Sequence, residues 1–275
     1  MFFSAFNVSY ATEKIEVFVS ILPQKYFVER IGGEHVNVNV MIKPGQSPET
    51  FEPSPKLMNK LAHANIFFTI GMPFEKVWIQ RVASINPNLV IADTQADKND
   101  LLKAYRHHNV NEFDPHTWLS PLLSVKQSEH IFKHLSDIKP ELESIFKSNL
   151  SVLKQDLLEL DQFIATEFKG YSHTQKNHFL VFHPAFSYFA QAYGLEQWAI
   201  EAGGKEPSGR QLAEIIKRIK EKQVNWIIIE KQFNQSSART IAKSVDAELI
   251  LLDPLAEDYL QNMKYITQKI KIALF

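Results

Sequence analysis

The chain has 275 residues, a formal net charge of −1, 45% hydrophobic and 12% aromatic content with twenty Phe, and no cysteine. That is enough chain for one large domain or two α/β lobes, and the near-neutral charge gives no electrostatic basis for binding nucleic acid or an anionic membrane. Without cysteine there can be no disulfide, thiolate metal site or Cys nucleophile, so any bound metal must be held by nitrogen and oxygen.

Residues 1–11 are apolar at Met1-Phe2-Phe3 and end in small residues around Tyr10, like the tail and cleavage site of a secretory signal peptide lacking its basic start. On that reading the mature chain begins near Thr12 and works outside the cytoplasm. No run of eighteen apolar residues exists to span a membrane. Ile15–Ile21 is a β-branched apolar run, as in a strand covered on both faces. Pro23 opens a helix that Gly32-Gly33 closes, and Val36–Ile42 alternates as a second strand. Residues 43–55 form a loop stiffened by four prolines, leading to a helix capped by Ser54 with Pro55 at its first position. Strands at Ile66–Ile70 and Leu89–Ala92 flank a helix at Phe74–Ile85. This rhythm predicts a parallel sheet with right-handed crossovers.

Residues 93–113 are weakly patterned and include His107-His108. They lead to Asp114-Pro-His-Thr-Trp-Leu-Ser-Pro121, a lone histidine held between prolines at the joint of two similar halves. Leu122–Leu135 reads as a helix. A second helix, from Pro140 to about Lys169, carries apolar residues at steps of three and four from Leu142 to Phe168, a rod long enough to lie along both halves. Beyond Gly170, strands at Phe179–Phe182, Leu195–Ile200, Trp226–Ile229 and Leu249–Leu252 alternate with helices at Ala185–Ala192, Ser208–Lys222, Ser236–Val245 and Asp258–Leu274. The predicted fold is α/β: two lobes, each a parallel sheet flanked by helices, joined by one long rigid helix. The divisions fall at 12–121, 122–170 and 171–275.

Ligands of open parallel sheets bind beyond the carboxyl ends of the strands. Glu49, His116, His183 and Asp253 share that address, each beside a proline that stiffens the backbone. Two imidazoles and two carboxylates suit a divalent ion. Taken singly, each has a plainer reading: a hydrogen-bonded strand-end histidine, a turn-forming Asp-Pro, a solvated glutamate. His130 and His134 share a helix face without the carboxylate of a metalloprotease motif. His35, His63, His173 and His178 read as surface or capping residues. No phosphate-binding glycine loop and no GxSxG occurs.

Pro44-Gly-Gln-Ser-Pro48 with Phe51-Glu-Pro-Ser-Pro55, then the 114–121 stretch, then Phe182-His-Pro-Ala-Phe-Ser-Tyr-Phe-Ala190 with Tyr193-Gly-Leu195, and finally Asp253-Pro-Leu255 ahead of Tyr259 and Met263, occur in family order. In these, and along nearly its full length, the chain resembles the periplasmic zinc/manganese solute-binding proteins of ABC importers, the ZnuA/TroA type. The resemblance implies two bridged lobes, a metal ion in the cleft, delivery to an ABC permease, and a monomer. It makes His116, His183 and Asp253 the second, third and fourth ligands. Histidine at the third position is similar to zinc-handling members; manganese members usually carry glutamate there. Where the family's first ligand is ordinarily histidine, this chain has Glu49, so either its carboxylate binds or a water takes that place. The long His-rich acidic loop of many zinc members is missing. Zn2+ is favoured, with Mn2+ or iron as the alternative. A zinc hydrolase using Glu201 or Glu75 as base, or a metal-free adhesin-like protein, are the rival readings.

Overall fold

The computed structural model describes residues 13–95, 114–171, 174, 176–201, 208–233 and 235–275. The expected leader at 1–11, His107-His108 and His173 lie outside them. The first sheet comprises β1 (Ile15–Val19), β2 (Val36–Val40), β3 (Ile66–Thr69) and β4 (Val90–Asp93); the second comprises β5 (His178–Val181), β6 (Glu196–Ala199), β7 (Trp226–Glu230) and β8 (Glu248–Leu252). Every pairing is parallel. The strand orders are β2-β1-β3-β4 and β6-β5-β7-β8, the same winding twice. Each order reverses beside its first strand, and the crevice at such a switch point is where open sheets bind ligands. The central strands β1, β3, β5 and β7 are almost wholly buried, as their largely apolar sequences require.

The helices are α1 (Leu22–Gly32), α2 (Pro55–Leu61), α3 (Pro73–Ile85), α4 (Pro121–Ile138), α5 (Glu143–Glu167), α6 (Ser187–Ala192), α7 (Gly209–Glu221), α8 (Gln235–Val245) and α9 (Tyr259–Ile272). Ser54 and Ser120 cap α2 and α4 by accepting the Leu57 and Leu123 amides. The long helix begins later than the sequence predicts. Pro140–Leu142 is a 3-10 turn and α5 starts at Glu143, because Leu142 lies at φ −101°, ψ 0°, outside the α-helical region. At the other end Phe168 leaves the helix and Gly170, at φ +89°, turns the chain away.

Phe146, Leu150, Leu153, Leu157, Leu160 and Ile164 form a buried stripe along α5. It packs against α1, α4 and α9. One apolar core therefore runs through both lobes, taking in Val17 and Phe68 of the first sheet and Phe179, Ile228 and Leu252 of the second. A smaller core covers the far face of the second sheet through Leu180, Ile227, Ile229 and Ile219. Polar ties reinforce the joint. The Trp118 indole donates to the Pro254 carbonyl at 2.8 Å, and the Tyr259 hydroxyl donates to the Trp118 carbonyl at 2.7 Å while lying 3.0 Å from Ser124 Oγ. Among the described residues no helix is long and apolar enough to cross a membrane.

Tyr259→Phe keeps the packing of α9 and deletes this buried hydroxyl. Urea unfolding should show a loss of about 1–2 kcal/mol with an unchanged m-value.

Candidate metal centre at the lobe junction

The register of the second sheet sets up the site. His178 pairs with Glu196 and Val181 with Ala199, and the ladder continues through Ile200 N–H to Val181 O and Glu201 N–H to Phe182 O at 2.9 Å. Two residues beyond each strand, His183 therefore faces Glu201. On the other flank Val181 pairs with Ile228, so the same count brings His183 level with Glu230, the last residue of β7. A row Glu201–His183–Glu230 crosses the sheet edge at the switch point. All three side chains are buried. Glu201 Oε2 lies 3.1 Å from His183 Nδ1, and the ring stacks on Phe233 with centroids 4.6 Å apart.

Burial alone would strip the proton from His183. The hydrogen bond to Glu201 and the charges of Glu230, Glu49 and Glu201 outweigh it and raise the pKa above the usual imidazole value. Glu230 is only 1% exposed and neither carboxylate oxygen has a hydrogen-bond partner. Burial pushes its pKa up to about 8 against the pull of His183.

The first lobe supplies two more groups. Phe51 packs edge-on against Phe74 at the start of α3, centroids 5.1 Å apart, which anchors the proline-rich loop. That anchor delivers Glu49, whose Oε1 stands 3.5 Å from His183 Nδ1. Burial, joined by the charge of Glu201, raises the Glu49 carboxyl above its ordinary range, while His183 and His116 oppose it. His116 follows Pro115 in a tight turn. Asp114 Oδ1 accepts from the His116 amide at 3.0 Å and lies 2.6 Å from its Nδ1, fixing the ring. The two imidazoles meet edge-to-face with centroids 5.3 Å apart. Glu49, His116 and His183, drawn from three distant loops, thus share one spot.

Asp253 is placed differently. Glu230 pairs with Leu252, so Asp253 lies one residue beyond the row, level with Lys231. Its Oδ1 accepts from Gln232 Nε2 at 2.7 Å and from the Leu255 amide at 3.1 Å, and Lys231 Nζ approaches Oδ2 at 3.7 Å. Among the described residues no group of three or more His, Asp or Glu side chains is positioned to hold a metal ion.

The two candidate general bases have other work. Glu75 accepts from Ser20 Oγ and from the Ile70, Gly71 and Met72 amides, which makes it a buried clamp on the turn into α3. Glu201 faces His183. The sequence reading passed over Glu201 and Glu230 as companions of His183, although each directly follows an apolar strand run, as His183 and Asp253 do. His134 is part-buried against Phe68, and His130 Nδ1 reaches only the Asp93 carbonyl, at 3.4 Å.

The chain matches the family described as "Zinc-uptake complex component A periplasmic" over residues 17–273. A candidate metal-binding protein of Chlamydia trachomatis is 31% identical over 249 residues, which span 90% of this chain and 87% of that one. The zinc-binding lipoprotein AdcA of Streptococcus pneumoniae is 29% identical over 262 residues, which span 90% of this chain and 52% of AdcA, so the chain covers about half of that relative. Among solved structures, a zinc-bound ZnuA deletion mutant aligns with a TM-score of 0.85 at 33% identity, covering 95% of this chain and 98% of that chain. The periplasmic zinc-binding protein TroA of Treponema pallidum, at 18% identity, shares the fold with a TM-score of 0.84 over 94% of this chain and 99% of that chain.

Glu75 and Glu230 are buried with pKa values raised to about 7 and about 8. Such groups stabilise the folded state fully below their unfolded value, near 4.5, and lose that contribution as pH rises through the folded value. Metal-free protein should therefore be less stable to urea at pH 8 than at pH 5.5, by a few kcal/mol on the order-of-magnitude scale of such shifts. Glu230→Gln should flatten that slope.

Proposed function

The chain belongs to the periplasmic zinc-uptake complex component A family, and on that premise we propose that it captures a divalent metal ion outside the cytoplasm for transport. The ion is zinc, held in the cleft between the lobes and delivered to an ABC permease. Glu49, His116, His183 and Asp253 are its ligands. Residues 122–170 join the two lobes.

The observation that carries this reading is the spacing of the imidazoles. With Zn–N of ~2.1 Å and ~1.1 Å more to the ring centre, two imidazoles at a tetrahedral angle have centroids ~5 Å apart. His116 and His183 stand at 5.3 Å with Glu49 beside them. The hydrogen bonds of Asp253 to Gln232 and Leu255 fall on Oδ1, so Oδ2, which faces the exposed Lys231 ammonium at 3.7 Å, is the oxygen it would turn to the ion. Imidazole nitrogen favours zinc, whereas the carboxylates around His183 give the site some affinity for manganese or iron. Nothing is turned over: Glu75 is saturated by its own hydrogen bonds and Glu201 is engaged with His183. Because the lobes share a core, release requires the permease to draw away one lobe's ligands rather than open a free hinge.

Calorimetric titration should give one zinc per chain, and His116→Ala or His183→Ala should weaken binding at least ~100-fold, in line with the loss of a direct ligand. A stoichiometry well below one, or an unaltered His116→Ala, counts against the reading. Loading to about a thousand times Kd should raise Tm by roughly 10 °C, and chelation should reverse it. Zinc must displace the proton that the carboxylates hold on His183. Apparent affinity should therefore fall steadily from pH 7.5 to pH 5.5.

A further inference from the structure

The metal-capture reading leaves open which nitrogen of His183 takes the ion, and the sheet edge bears on this. Two carboxylates address the same nitrogen: Glu201 Oε2 at 3.1 Å and Glu49 Oε1 at 3.5 Å from Nδ1. A neutral imidazole carries one N–H, so Nδ1 can donate to only one of them. Glu201 lies within hydrogen-bond reach, whereas Glu49 lies beyond it.

Glu201 is also the better held. Its side chain is 6% exposed, against 30% for Glu49. Its amide donates to the Phe182 carbonyl at 2.9 Å, a rung of the same ladder that places His183 opposite it. Phe233 stacks on the imidazole and restricts its rotation. In the first lobe Asp114 holds His116 in the same manner, through Nδ1.

We propose that Glu201 is the positioning residue of the metal site: it accepts the Nδ1–H of His183, turns Nε2 to the ion, and so leaves Glu49 free to coordinate. A carboxylate behind a ligating histidine fixes tautomer and ring orientation, and losing it typically costs 10–100-fold in metal affinity. The role presupposes that the cleft takes up metal.

Two-bond 1H–15N spectra of the zinc-loaded chain, with zinc titrations of Glu201→Gln and Glu201→Leu, provide the test. The expected result is His183 with Nδ1 protonated and Nε2 coordinated. Glu201→Leu should bind zinc roughly 10–100-fold more weakly. Glu201→Gln, which keeps an acceptor oxygen, should recover most of that loss. Coordination through Nδ1, equal losses in both variants, or no loss in either, would overturn the assignment. Should Glu201→Leu fail to fold, the spectrum of the unaltered chain and the glutamine variant still decide. If the unaltered chain takes up no zinc, the failure precedes any substitution and lies with the transport reading itself.

Discussion

Donors from two lobes must be held a few ångströms apart before any ion arrives, and the tie between Trp118 and Pro254 is what makes this possible. The indole N–H of Trp118 closes on a carbonyl 136 residues away. It joins the loop carrying His116 to the loop carrying Asp253, and the Tyr259 hydroxyl braces the same peptide from α9. That joint ties His116 to the second lobe directly, beside the loop that carries Asp253. The α5 stripe performs the same service on a larger scale by extending one apolar core under both sheets. A preorganised site loses less conformational entropy on binding. The proline beside each proposed ligand serves the same end within each loop.

The electrostatics of the cleft follow from that rigidity. Glu49, Glu201 and Glu230 all act on His183; the sheet register fixes Glu201 and Glu230 beside it, and the loop anchored by Phe51 brings Glu49. In water three carboxylates would disperse. Here burial drives the pKa of Glu230 up and leaves its oxygens without partners, while His183 holds its proton against its own burial. A cation brought to this edge would favour the ionised carboxylates that burial disfavours. The joint that fixes the geometry therefore also creates the attraction for the ion.

The alternation of apolar runs with helical patterns revealed both sheets, and the Asp114–Pro121 stretch identified the junction, because these features depend only on local periodicity and on proline. Glu49, His116, His183 and Asp253 were legible as one group from their shared place beyond the strand ends and the proline beside each, and the family resemblance added the ligand roles of the last three. Glu201 and Glu230 have the same address, but grouping them with His183 requires the register of three strands, which a single sequence does not state. The α5 start was misplaced for a related reason. Pro140 is a sound first residue for a helix, and only the backbone at Leu142 shows that the first turn is 3-10 instead.

The same register explains why Asp253 stands apart from the other three proposed ligands. β8 meets β7 with Leu252 opposite Glu230, so the first polar residue after β8 falls one step beyond the row that holds His183. Asp253 accordingly meets Lys231 and Gln232 in place of the histidine. An aspartate in line with the row would have added a fourth carboxylate to a buried cluster that already leaves Glu230 unpartnered. Asp253 is instead held outside it by neutral donors and an exposed lysine. Of the four proposed ligands, Asp253 is the one whose side chain is tied to its own lobe, through Gln232 and Leu255, rather than standing against His183.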